Sequence, residues 1–341
     1  LWGSRGRFFK RAPWPPEANL MGTSNLTDKF ARDVEAGLSR PNKILPCKYI
    51  YDEEGSRLFR EIMALPEYYL TGCEIEILRE HKELLGHLLG ERKFYLFELG
   101  AGDGLKTRIL LDHFYKSGID FHYIPIDISA SEVEKLVQDL SAEIPGMKIT
   151  GLVSEYFQGL KYLSGVESST KVVLFLGSNI GNMDPDQAHE FLRGIHQALE
   201  DRDYLFIGFD LKKEIGTLTR AYNDSAGITA QFNKNLLRRI NKELGGTFDP
   251  GRFRYHSIYD PQPGAVQSYL VSTEKQEVYI KAIDKRISFE KWEAIHTESS
   301  YKYSEEDIEK LAAGSGFVIK KNFYDTRHFF VDSLWQVVKE A

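Results

Sequence analysis

Cysteine is nearly absent. The 341-residue chain has two, Cys47 and Cys73, and they form no C-x-x-C pair, so a disulfide framework or a structural zinc site lacks its ligands. A reducing, cytoplasmic setting is expected. Long apolar runs are also missing: none approaches the roughly 20 residues that cross a bilayer, and no charged-then-apolar signal segment opens the chain. A soluble protein without a membrane partner is expected. Positive charge is not in excess either, since 44 Lys and Arg face 50 Asp and Glu for a net charge of −6. Without a local basic patch, nothing draws the chain to phosphate backbones, which excludes nucleic acid as the expected partner and leaves a small molecule. No repeat or low-complexity tract is visible. With 42% hydrophobic and 28% charged residues, the balance is that of a folded chain, not a disordered one.

Residues 1–20 carry no steady period and precede Met21-Gly22-Thr23-Ser24. They read as a leader ahead of a start at Met21, outside the fold. Further on, short apolar runs alternate with helical patterns: strands are expected at Phe94–Leu99, His122–Ile128, Lys148–Val153, Lys171–Leu176 and Tyr204–Phe209. Helices are expected between them at Lys106–Phe114, Ser131–Leu140 and Asp186–Leu199. That order predicts an α/β fold with a parallel sheet and helical crossovers. The alternation then stops. It resumes at the capped, acidic start Ser304-Glu305-Glu306-Asp307, followed by strands Phe317–Phe323 and Phe329–Val338. The sheet unit is therefore expected to be split in sequence, over 73–211 and 303–341. Residues 21–72 and 212–302 would form an α+β lobe walling the ligand end of the sheet. Within it, helices are expected at Thr217–Asn223 and Thr229–Leu244, and strands at Ala265–Ser272 and Glu277–Ile283.

The strongest local signal is Phe97-Glu98-Leu99-Gly100-Ala101-Gly102-Asp103-Gly104, a strand running into alternating glycines and then a helix. Gly100 and Gly102 let backbone approach a ligand closely. A dinucleotide fingerprint needs its third glycine where this chain has Leu105, so the spacing favours a methyl donor, S-adenosylmethionine, over NAD. Asp127 ends the second strand, where a carboxylate can accept from two ribose hydroxyls or cap the next helix. Glu155 and Tyr156 follow the third strand, in reach of an adenine amino group and ring, and Lys106 starts the helix after the glycines. A surface role accounts equally well for that lysine.

Beyond the glycine loop, four longer motifs stand in order: Tyr51-Asp52-Glu53-Glu54-Gly55-Ser56-Arg57-Leu58-Phe59, Leu65-Pro66-Glu67-Tyr68-Tyr69, Phe175-Leu176-Gly177-Ser178-Asn179-Ile180-Gly181-Asn182 and Arg220-Ala221-Tyr222-Asn223-Asp224. From about residue 30 to the C-terminus the chain resembles the histidine-specific Nα-methyltransferases of ergothioneine biosynthesis. The resemblance implies a class I methyltransferase fold, Rossmann-like with an antiparallel last strand, and S-adenosylmethionine-dependent trimethylation of the α-amino group of histidine to hercynine. By matching position, it implies cofactor contacts at Gly100, Lys106, Asp127, Glu155 and Tyr156. The last two depart from the family's common Asp-Phe but keep charge sign and aromaticity. Amino-acid contacts are implied at Tyr68, Asn182, Tyr222, Glu298 and Ser300, with a monomer favoured and no metal required.

The residue chemistry agrees with these roles. Asn182 can donate to a carboxylate and accept from an amine, or cap the next helix. Glu298 and Ser300 share one face if their segment is extended, and a carboxylate there suits an imidazole N–H. Tyr51, Phe59 and Tyr68 are aromatics that can face a growing cationic head, with Tyr51 and Tyr68 positioning the amine. His296 is expected on the same alternation as Glu298, but no cysteine pair completes a zinc site. Neighbouring alternatives are the same chemistry on tryptophan or tyrosine, or a non-catalytic cofactor-binding partner.

Overall fold

The computed structural model describes residues 23–164 and 169–339; the leader expected over 1–20 and the start at Met21 lie outside them. The described chain opens with α1 (Thr23–Leu38), the short strand β1 (Lys43–Ile44), α2 (Glu53–Met63) and the long α3 (Tyr69–Leu89). Asp52 caps α2 by accepting from the Gly55 N–H at 2.8 Å, and Glu53 and Glu54 follow at the positive end of the helix dipole. Then come β2 (Phe94–Leu99), α4 (Arg108–Lys116), β3 (Phe121–Asp127), α5 (Ala130–Glu143), β4 (Lys148–Ile149), β5 (Leu152–Val153) and α6 (Tyr156–Ser164). The alternation ends with β6 (Thr170–Phe175), α7 (Pro185–Ala198) and β7 (Tyr204–Asp210). The next stretch holds α8 (Ile215–Ala221), α9 (Ile228–Leu244), β8 (Phe253–Asp260), β9 (Ala265–Ser272), β10 (Gln276–Ile280), β11 (Lys285–Phe289) and β12 (Ala294–Tyr301). α10 (Glu305–Gly314), β13 (Phe317–Tyr324) and β14 (Phe330–Val337) close it.

The large sheet runs β13-β14-β7-β6-β2-β3-β4, with β5 also on β3. Strands β3, β2, β6 and β7 are parallel, and β14 is antiparallel to both β7 and β13. This is the expected sheet with its antiparallel last strand. Its central strands are continuous apolar runs because helices cover both faces. Successive side chains point to opposite sides: Leu96, Val172 and Phe206 pack beneath α3 and α4, while Phe97, Val173 and Ile207 pack beneath α7 and α10.

One expected strand, Lys148–Val153, is two short pieces. A Cβ at Gly151 would lie 2.5 Å from Val133 and 2.9 Å from Val137 of α5, so the helix crowds the chain there and pairing breaks.

A second sheet, β1-β12-β9-β8, and the hairpin β10–β11 belong to the remaining region. Phe30, Leu58, Phe232, Leu236, Leu270 and Ile295 join α1, α2, α9 and this sheet in a third core. Strands β8 and β11 and helix α6 are absent from the sequence expectation. In β8 only Phe253 and Ser257 are buried, so an edge strand with a half-wet face gives a weak apolar signal. Helix α3 begins against the third core's Tyr68 and continues without a break beneath the large sheet.

Candidate active site

Just past the carboxyl end of β6 the two regions meet around a cleft of about 490 Å³, open mouth included. Tyr51, Tyr68, Asn182, Tyr222, Glu298 and Ser300 all line it, with Phe59 and Phe232. Local structure explains how each arrives. Asp184, not Asn182, caps α7, in a reciprocal capping box with Gln187, which leaves the Asn182 amide to the cleft. Tyr51, Phe59, Tyr68 and Tyr222 form a run of edge-to-face rings with centroids 5.6, 6.1 and 6.2 Å apart. The negative faces of such a wall suit a cation. Burial, with Glu298 nearby, pushes the Tyr51 and Tyr68 hydroxyls well above their ordinary pKa. They stay protonated, which does not suit them to serve as bases.

Glu298 and Ser300 reach the cleft through a β-bulge. Along β12, His296 opposes Tyr269 and Glu298 opposes Ser268, so Thr297 is the extra residue. Thr297 is stitched down, its one hydroxyl hydrogen shared between the Asn233 side-chain oxygen of α9 at 2.6 Å and the Ser268 carbonyl at 3.1 Å. Before the bulge the odd-numbered Ile295 is buried; after it the even-numbered Ser300 and Lys302 are. The switch corrects the expectation for His296, which lies on the other face and pairs with Ser299 at 3.0 Å. Among the described residues no three His, Cys, Asp or Glu side chains gather to hold a metal ion.

Sequence reasoning missed the layer behind the cleft. Lys302 is fully buried and bonds to Tyr222, Ser300 and Asp210. Asp210 in turn takes Lys213 and accepts from the Tyr69 hydroxyl at 2.8 Å. Ser178 adopts left-handed φ of 55° and accepts the Asp210 N–H at 3.0 Å, the kind of backbone strain that clusters at functional sites. Desolvation in the half-buried cleft wall pushes the Glu298 carboxyl up to about 7, and Lys302 pulls in the opposite direction.

The glycine loop lies next to this cleft. Gly100, Gly102 and Gly104 have φ of 74°, 53° and 67°, a region that side chains with a Cβ disfavour. Space differs among them: a Cβ at Gly100 would sit 2.7 Å from the Tyr156 hydroxyl, one at Gly104 would strike Leu136 at 2.4 Å, and one at Gly102 would meet nothing within 4 Å. Asp127 ends β3 and accepts from the Gly102 N–H at 3.1 Å and the Ser129 N–H at 3.0 Å. Ser129 is the cap of α5, so Asp127 is not. Burial raises the Asp127 pKa against those two bonds. Asn179, also missed, joins the two halves, lining the cleft and standing 3.2 Å from the Gly100 Cβ position. Lys106 pairs with the buried Glu74, which also accepts from the Gly177 N–H at 2.6 Å. Glu155 is ion-paired with Lys29 of α1 at 2.8 Å, and Tyr156 packs edge-on against Phe175.

The profile of a family described as histidine-specific methyltransferase, SAM-dependent, matches residues 30–337. The chain is 35% identical to the histidine N-alpha-methyltransferase of Mycolicibacterium smegmatis, over 88% of this chain and 92% of that protein. It is 32% identical to ergothioneine biosynthesis protein 1 of Schizosaccharomyces pombe, over 86% of this chain and 38% of that one. Identity to the 4-dimethylallyltryptophan N-methyltransferase of Claviceps fusiformis is 26%, over 85% of this chain and 87% of that protein.

Proposed function

Since the chain belongs to the S-adenosylmethionine-dependent, histidine-specific methyltransferases, we propose that it methylates the α-amino group of free L-histidine three times, to hercynine. The observation that carries this reading is that a carboxylate, Glu298, and a hydroxyl, Ser300, line the same cleft as the aromatic run. An imidazole offers two ring nitrogens to such a pair. A tryptophan-type ring has one N–H and, once that is given to Glu298, offers no second nitrogen to Ser300.

The residues beside the cleft fit the methyl donor. Asp127 has lone pairs to spare beyond its two backbone bonds, and open space at Gly102 faces no side chain. In this reading Asp127 takes the ribose hydroxyls, Gly100 and Gly102 let the ligand approach, Glu155 and Tyr156 take the adenine, and Lys106 takes the amino-acid carboxylate of the donor. When bound, S-adenosylmethionine supplies an electrophilic methyl group for displacement by a neutral amine. The chain's own part is to orient and desolvate that amine. Asn182 holds the substrate carboxylate, Glu298 and Ser300 the ring, and Tyr222 closes the floor. Tyr51 and Tyr68 position the amine, whose proton is more easily lost among Phe59, Ile62 and Phe232 than in water. As methyl groups accumulate, the ring faces stabilise the fixed charge by about 0.5–2 kcal/mol.

In the same reading, residues 73–211 with 303–341 hold the donor, and 21–72 with 212–302, joined by Asn182, hold the amino acid. The enzyme works as a cytoplasmic monomer on a small molecule, not on nucleic acid. Among the described residues no helix is long and apolar enough to cross a membrane.

The test is incubation with S-adenosylmethionine and a mixture of the standard amino acids, read by mass spectrometry. Histidine gaining three methyl groups is expected; trimethylation of another amino acid in its place would overturn the ring assignment. A companion test is Gly100→Ala. Its added Cβ meets Tyr156 at 2.7 Å and its φ of 74° suits glycine alone, at a backbone cost of about 1–2 kcal/mol. Calorimetry should show weakened binding of S-adenosylhomocysteine, and unchanged affinity would remove Gly100 from the donor site.

A further inference from the structure

Lys302 is buried to 0% side-chain exposure, and no motif pointed to it. An ammonium has three N–H donors. All three are accounted for, by Asp210 Oδ2, Tyr222 Oη and Ser300 Oγ, each at 2.8 Å. The two hydroxyls stand 2.7 Å apart, so one of them donates to the other. Each owns a single hydrogen, and neither can give it to Lys302. One hydroxyl hydrogen therefore remains for whatever occupies the cleft.

Charge decides which hydroxyl keeps it. A ring held by Glu298 and Ser300 sits beside the Lys302 ammonium, and Asp210 is shared with Lys213, so it does not fully neutralise Lys302. The ammoniums of Lys302 and Lys213 repel a cationic ring and offset the attraction of the Glu298 carboxylate for one. The same ammonium favours the ionised form of Glu298, which accepts and cannot donate. A neutral imidazole gives its N–H to Glu298 and presents a lone pair to Ser300. Ser300 must then be the donor, and Tyr222 spends its hydrogen on Ser300, meeting the ligand through its ring and its remaining lone pair.

We propose that Lys302 is a positioning residue that fixes Ser300 as hydrogen donor and Glu298 as acceptor, so that the cleft reads a neutral ring with one N–H and one bare nitrogen. This rests on the reading of Glu298 and Ser300 as the imidazole contacts, and the experiments separate the two.

The first uses the unaltered enzyme saturated with S-adenosylhomocysteine and histidine labelled with nitrogen-15 in the ring. One protonated and one bare ring nitrogen are expected by NMR; two protonated nitrogens would overturn the proposal. The second compares Lys302→Met with the unaltered enzyme in calorimetric binding of histidine and of β-(2-thienyl)alanine, whose ring has no nitrogen. Loss of an oriented donor should weaken histidine binding about ten- to a hundredfold and leave the thienyl analogue unchanged. Equal weakening of both would show a merely structural role and overturn it. If the unaltered enzyme does not prefer histidine to the thienyl analogue, the imidazole reading itself fails, and this inference with it.

Discussion

Replacing Glu298 by glutamine is expected to raise the KM for histidine about ten- to a hundredfold, the worth of a charged hydrogen bond of about 1.5–3 kcal/mol. Affinity for S-adenosylmethionine should not change, because Glu298 stands on β12, whereas the residues assigned to the donor end or follow β2, β3 and β5. The carboxyl ionises at about 7, so the accepting form is present above that pH and is lost as pH falls through it. Histidine affinity of the unaltered enzyme should therefore drop between pH 8 and pH 6 more steeply than that of the variant, in which only the substrate's own ring titrates. Stability should move the other way. In the unfolded chain the group ionises near the ordinary glutamate value of 4.5, so between 4.5 and about 7 the unligated fold holds a proton that the unfolded chain has released. Its stability falls as pH rises through that window. Glu298→Gln should thus melt higher than the unaltered protein at pH 8 and no differently at pH 4. A variant with unaltered KM and melting temperature would remove Glu298 from the site.

The second large effect is expected at Asp127. Its carboxylate orders the loop through the Gly102 and Ser129 N–H groups and is assigned to the ribose as well. Asp127→Ala deletes the acceptor for all of these, and two charged hydrogen bonds to a ligand are worth about 3–6 kcal/mol. Calorimetry should show S-adenosylhomocysteine affinity falling by about a hundredfold or more. An affinity within tenfold of the original would leave Asp127 as a loop-ordering residue only.

How much of this was legible in the sequence depended on the range of the signal. The parallel sheet was read from β2, β6 and β7 because strands buried on both faces must be apolar throughout. The glycine loop was read because three positive φ angles in five residues demand glycine. Tyr51, Tyr68, Asn182, Tyr222, Glu298 and Ser300 were picked out by motif, and one cleft gathers them. Lys302, Asp210 and Lys213 were invisible because a charged residue in a sequence looks the same whether it ends in water or in a core. Only the backbone bridge between Leu211 and Tyr303, just past the ends of β7 and β12, brings these three together. The bulge at Thr297 left no trace in the pattern either, since period-two counting works on each side of it and fails only across it.

That bulge also constrains how such a pocket can evolve. With Ile295 held in its core, losing or gaining one residue beside Thr297 would turn Glu298, Ser300 and Lys302 away from the ligand and bring Ser299 and Tyr301 toward it, exchanging the recognition wall for the outer face in a single step. Changes of substrate on this scaffold should therefore proceed by substitution at fixed chain length, and relatives that read a different side chain should keep the frame of this strand while rewriting its letters.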